Sequence, residues 1–215
     1  MTDAAITIEV GMTSATMESY PMKFVAIAIA AVLTAVPCVA HAAPSDIPAR
    51  IAAYDDAVVF AMKAKGGLSV RVDRFEQVVR EYYDISAMAA IVVGPKWLAA
   101  SADDRAAAIK ALTRHSALLL ARSFGPFDGQ AFSIDPQIMA RGTSRVVKVM
   151  ITSSGKKNVV FYQLREGPTE WKIVDAISDG VSQLALQRAD VASTISSGGV
   201  AAMVARLDKL DAAPR

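Results

Sequence analysis

The sequence predicts an α+β fold: an antiparallel meander of four to five strands, covered by helices from both ends of the chain, with a cavity between sheet and helices. Two observations carry this. Apolar residues recur at helical spacing through the first half and again at the end. Between them, from Gln130 to Ile177, the period drops to two. Helices flanking consecutive antiparallel strands pack as layers over one core.

The elements follow in order. Ser45 to Lys65 carries Ile51, Ala52, Val58, Val59 and Met62 at helical spacing and runs into Gly66-Gly67. Ser69 to Tyr83 places Val72, Phe75, Val78, Val79 and Tyr82 on one stripe. Asp84-Ile85-Ser86 opens a short helix reaching Ile91, and Gly94-Pro95 ends it before Lys96-Trp97-Leu98. Ser101 is an N-cap with Asp103 and Asp104 in the first turn, where acids meet the positive end of the helix dipole. This helix runs to Phe124, where Gly125-Pro126 stops it. At 1.5 Å per residue it spans roughly 35 Å. Strands are expected over 130–139, 143–152, 157–166 and 170–177, with turns at Ser153–Lys156 and Glu166–Thr169. After Asp179-Gly180 the helical period returns, and Gly198-Gly199 separates a last amphipathic helix through Val200, Met203, Leu207 and Leu210.

The N-terminus has a separate purpose. Phe24 to Val36 is uncharged, Lys23 precedes it, and Ala40-His41-Ala42 follows. Basic flank, short apolar run and small-x-small site are the layout of a secretory signal. The run is short of the ~20 residues a spanning helix needs. Cleavage is expected after Ala42 or Ala43, making residues 1–42 a signal peptide and 43–215 a single domain. Residues 1–21 hold Asp3, Glu9 and Glu18 and no base, unlike a natural signal; they read as an over-extended start, with Met22 or Met17 the true one.

Composition narrows the chemistry. The whole chain has a formal net charge of +2 and no basic run with interleaved aromatics, so nucleic acid is not an expected partner. Cys38 is the single cysteine and falls in the signal. A mature chain without cysteine has no disulfide, thiol nucleophile or thiolate metal site. No G-x-S-x-G elbow and no phosphate-binding glycine loop occurs. His115 is the one histidine after the signal, and Asp84 follows Tyr82-Tyr83. These two are the candidates for an enzymatic alternative: a cone-shaped α+β enzyme acting on an apolar substrate. In that case one of them points into the cavity with a shifted pKa, whereas a carrier's cavity lacks ionisable groups. An adaptor with a filled core and an exposed apolar patch is a third reading.

The order of motifs brings a resemblance. Phe75-Glu76-Gln77-Val78-Val79, Tyr82-Tyr83-Asp84 … Met88, and Val93-Gly94-Pro95-Lys96-Trp97 precede a helix opening Ser101 … Arg105. The meander follows, then Trp171 to Asp175, Ile177 to Ser182, Arg188, and a Gly198 to Met203 helix. This series resembles the MlaC (toluene-tolerance) family, and the wording from Asp175 to Arg188 is most similar to its hopanoid-associated HpnM branch. The resemblance spans about residues 46–210. It implies a periplasmic, monomeric lipid carrier and not an enzyme, with no cofactor and no metal. Phospholipid or hopanoid would be the cargo, and an inner-membrane ABC-type lipid transport complex and an outer-membrane component the partners. It further implies a lipid site bordered by Tyr82, Tyr83, Met88, Val93, Trp97 and Val181, to which the apolar residues expected at the helix–sheet interface add Phe75, Val79, Ile91, Leu119, Phe161, Val174, Ile177 and Leu184. A tail of ~15 methylenes costs ~12 kcal/mol in water, so such a carrier must enclose it fully.

Overall fold

Three signals visible in the sequence set the long helices. α1 (Ile47–Met62) has a proline in its first turn, where the missing N–H is no loss. α3 (Ile85–Val93) is capped by Asp84, whose Oδ1 accepts from the Ala87 N–H at 2.9 Å. α5 (Ala102–Phe124) is capped by Ser101, whose Oγ accepts from the Asp104 N–H at 3.0 Å. Between them lie α2 (Gly67–Tyr82) and the single turn α4 (Lys96–Ala99). This computed structural model describes residues 46–212; the expected signal peptide and cleavage site lie outside the described residues.

The sheet is antiparallel throughout, in the order β1-β3-β4-β5-β6, with β2 also paired to β3. Its strands are β1 (Ala131–Ile134), β2 (Met139–Arg141), β3 (Ser144–Ser153), β4 (Lys156–Glu166), β5 (Trp171–Ser178) and β6 (Val181–Ser182). The meander is as expected, but among the described residues it has six strands and not four or five. The single strand expected over 130–139 is two, because Pro136 has no N–H to give to the ladder. Asp135 turns the chain there, its Oδ1 accepting from the Gln137 N–H at 2.9 Å. The sixth strand, β6, is the two-residue return after Asp179-Gly180, both at positive φ.

α6 (Gln183–Ala212) is two helices joined at a kink. Gly199 sits there at φ 68° and ψ −156°, a conformation only glycine adopts without strain. The Lys96 ammonium donates to the Ile195 and Ser196 carbonyls, satisfying the end of the helix before the kink.

The core runs between helices and sheet. Ile47, Ile51, Tyr54, Val58 and Met62 form the buried stripe of α1. Val72, Phe75, Val78 and Val79 do the same in α2. Across from them lie Val147, Val149, Leu164 and Ile173, all at or near zero exposure. Among the described residues no helix is long and apolar enough to cross a membrane.

Candidate functional site

A cavity of about 530 Å³ lies between the sheet and helices α3, α5 and α6. That volume is within the range of small-molecule pockets. Its sheet wall follows from register. Antiparallel partners point to the same side, and Ile151 pairs with Asn158, Tyr162 with Ala176, and Val160 with Ser178. All six border the cavity. The helical wall is Met88 of α3, Ser116, Leu119, Leu120, Ser123 and Phe124 of α5, and Gln183, Leu184 and Gln187 of α6.

Beneath it lies a group of buried phenols. Tyr83 and Tyr162 border the cavity, and Tyr54 of α1 sits behind both. The Tyr54 ring meets Tyr162 at 5.2 Å and Tyr83 at 5.9 Å, each edge-on, an arrangement that suits the ring quadrupoles. The Tyr54 and Tyr83 hydroxyls are 2.9 Å apart. Burial raises the pKa of all three, Tyr83 to about 12, so they stay protonated. Asp55, next along α1, is 5% exposed and neither carboxyl oxygen has a hydrogen-bond partner. Desolvation, and then the neighbouring Asp56 carboxyl, push it up to about 7.

Arg50 anchors the edge of this group. Its guanidinium donates to the Glu81 and Trp171 carbonyls, pairs with Glu170 at 2.7 Å and with Glu81 at 3.3 Å, and lies 4.3 Å from the Tyr82 ring centre. It thereby ties α1 to the end of α2 and to the β4–β5 turn.

Of the residues that the sequence assigned to the site, the structure brings Tyr83, Met88, Leu119 and Leu184 to the cavity. The other ten sit elsewhere. Phe75 and Val79 are fully buried one layer behind, with Phe75 stacked 6.0 Å from Phe124, which does border the cavity. Val93 is core, Tyr82 lies under Arg50, and Trp97 packs beside Arg105. Phe161 and Ile177 pair with each other on the opposite face of the sheet, out of phase with Tyr162 and Ala176. Val174 and Ile91 border a separate groove, and Val174 is the residue that the bulge after Gln163 leaves unpaired. Val181 is 44% exposed on β6.

Neither enzymatic candidate borders the cavity. Asp84 caps α3 and its other oxygen lies 3.5 Å from Arg165. His115 Nδ1 is 2.6 Å from Asp211 Oδ1, joining α5 to the end of α6. The expectation of a cavity free of ionisable groups is corrected as well: Asp175 and Asp179 border it, along with Ser, Asn and Gln side chains. Ser116, Gln183 and Gln187 have the residue types of a solvated helix face, and only their place opposite the sheet reveals them. Among the described residues no cluster of three or more His, Cys, Asp or Glu is arranged to hold a metal.

The fold has a counterpart among solved structures. The phospholipid-binding protein from Ralstonia solanacearum, determined in complex with a phospholipid, superposes with a TM-score of 0.63 at 23% identity. The match covers 78% of this chain and 98% of that one. Among curated proteins no match is found. The family model described as MlaC protein matches residues 54–209, which take in α2 to α5, the whole sheet and nearly all of α6, and the chain belongs to the MlaC family.

Proposed function

We propose that this protein is a periplasmic lipid carrier, which binds a phospholipid or a hopanoid and shuttles it between membranes in company with an ABC-type lipid transport system. The observation that carries the reading is the cavity itself. It lies between sheet and helices in a chain of the MlaC family, and its lining includes Met88, Leu119, Leu120, Phe124, Val160 and Leu184. The similar fold of a phospholipid-binding protein supports the lipid class. The secretory layout of residues 23–42 supports the periplasm, and the wording from Asp175 to Arg188 supports hopanoid as the second cargo. The role is carriage without catalysis: the two acid–base candidates of the sequence, Asp84 and His115, are engaged in a helix cap and an inter-helix pair, and Asp175 at the cavity accepts from the Leu184 N–H.

Filling the cavity tests the reading. Ala176 projects from β5 into it beside Tyr162. Ala176→Phe is expected to reduce co-purifying lipid at least tenfold while leaving the circular dichroism spectrum unchanged. Full retention of lipid by a folded variant contradicts the assignment of this cavity.

A further inference from the structure

One end of the molecule gathers bases that no acid pairs. The Phe127 N–H donates to the Met62 carbonyl at 3.2 Å, and the Lys63 ammonium lies 4.5 Å from the Phe127 ring centre. The Ser154 hydroxyl, in the turn between β3 and β4, donates to Asp128 at 3.4 Å. These contacts set the end of α1 beside the β3–β4 hairpin. Lys63 and Lys65 are exposed on the one, Lys156 and Lys157 on the other, and none of the four has an ion-pair partner among the described residues. Bases at the opposite end of the sheet are paired: Arg50 with Glu81 and Glu170, Lys172 with Glu170, Arg165 with Asp84. The acids near the four lysines are fewer. Asp56 is one turn back from Phe60 on α1, Asp128 is in the loop, and Asp73 of α2 is held by Arg114 at 2.8 Å.

The same end exposes apolar side chains. Phe60 precedes Lys63 by three residues and so shares its face of α1. It is 65% exposed, with the Arg74 guanidinium 5.6 Å from its ring centre. Leu68 and Val70, each 37% exposed, follow at the start of α2. The hairpin also reaches the cavity: Asn158, next after Lys157, is an exposed part of the lining, and Lys156 lies on its side of β4.

We propose that the end of α1, the start of α2 and the β3–β4 hairpin form a surface that docks on an anionic lipid bilayer, with the four lysines against the headgroups and Phe60 among them. Unpaired bases are drawn to a surface of opposite sign, and exposed apolar side chains beside them gain burial at the interface. Docking in this way sets the Asn158 side of the cavity next to the bilayer, so a tail passes between them with little exposure to water. The proposal rests on the carrier reading and deepens it, naming the surface at which cargo is exchanged.

The test is co-sedimentation of the protein with vesicles of phosphatidylcholine, alone or with one-third phosphatidylglycerol. Binding to the anionic vesicles at 50 mM salt is expected to be at least tenfold tighter than to the neutral ones, and to be lost at about 500 mM salt, where screening is short-ranged. A base near an anionic surface contributes roughly fivefold. Lys63→Gln with Lys65→Gln, and Lys156→Gln with Lys157→Gln, are therefore each expected to weaken binding at least fivefold, and Phe60→Ser at least threefold. Arg141→Gln with Arg165→Gln removes the same charge about 30 Å away along β3 and is expected to change binding less than twofold. Binding that ignores vesicle charge, or that the Arg141 and Arg165 pair weakens as much as the lysine pairs, overturns the surface. So does lipid-loaded native protein that ignores anionic vesicles; it leaves the carrier reading standing and gives the face to an acidic protein. Native protein that holds no lipid and still docks overturns the carrier reading and keeps the surface.

Discussion

Tyr54→Ala is expected to destabilise the protein by about 4 kcal/mol, the cost of truncating a fully buried aromatic and leaving its space unfilled. For a domain of this size, that lowers the unfolding midpoint by roughly 10 °C. The effect has three sources. The ring contacts Tyr82, Tyr83 and Tyr162 edge-on at 5.6, 5.9 and 5.2 Å. The hydroxyl partners that of Tyr83. Tyr83 and Tyr162 are also part of the cavity surface, so removing their support loosens the site from below. Tyr54→Phe separates these contributions. It keeps the ring and loses only the hydroxyl pair, so a loss of about 1 kcal/mol is expected. Thermal unfolding of the two variants checks the prediction. Equal, small losses would mean that the ring contacts contribute little.

Asp55→Asn is expected to stabilise the protein above pH 7 by roughly 3–4 kcal/mol and to flatten its stability between pH 4 and 7. Asp55 has its folded-state pKa raised from 3.8 to about 7, first by burial and then by Asp56. Its surroundings include the phenols of Tyr83 and Tyr162, which feel its charge and carry none to offset it. The unfolded chain therefore gives up this proton first. Stability from the neutral carboxyl is full below about pH 4 and is lost as pH rises through 7, at about 1.4 kcal/mol per pH unit in the window between. The amide cannot ionise, so the variant loses that slope; it keeps the cost of an unpaired polar group, present in both proteins. Urea unfolding at pH 4.5, 6 and 8 measures it. Parallel pH profiles for the native protein and the variant would show that Asp55 ionises as freely in the folded state as in the unfolded one.

Helices and turns were legible because local chemistry dictates them. Asp84 and Ser101 cap where their spacing said they would, and Gly199 breaks the last helix near the expected Gly198-Gly199. The stripe Ile47, Ile51, Tyr54, Val58 is a plain helical period, yet its neighbour Asp55 is as buried as Ile47. Periodicity gives no sign of a buried carboxyl at such a position. The site was harder to read than the fold. β4 and β5 carry large apolar side chains on both faces, so alternation alone did not tell Tyr162 from Phe161 or Ala176 from Ile177. The bulge after Gln163 added a shift of register that no residue pattern announces. The polar wall was hidden for the opposite reason: Ser116 and Gln187 have the residue types of a solvated helix face, and tertiary packing turns them toward the sheet.

The carrier reading stands or falls on what the cavity holds. Native mass spectrometry of the protein purified from its source cells, with organic extraction of what accompanies it, addresses this directly. The expected result is one diacyl phospholipid or hopanoid per chain, released on extraction and identified by mass. A chain that arrives empty, and remains empty when offered both lipid classes, would contradict it.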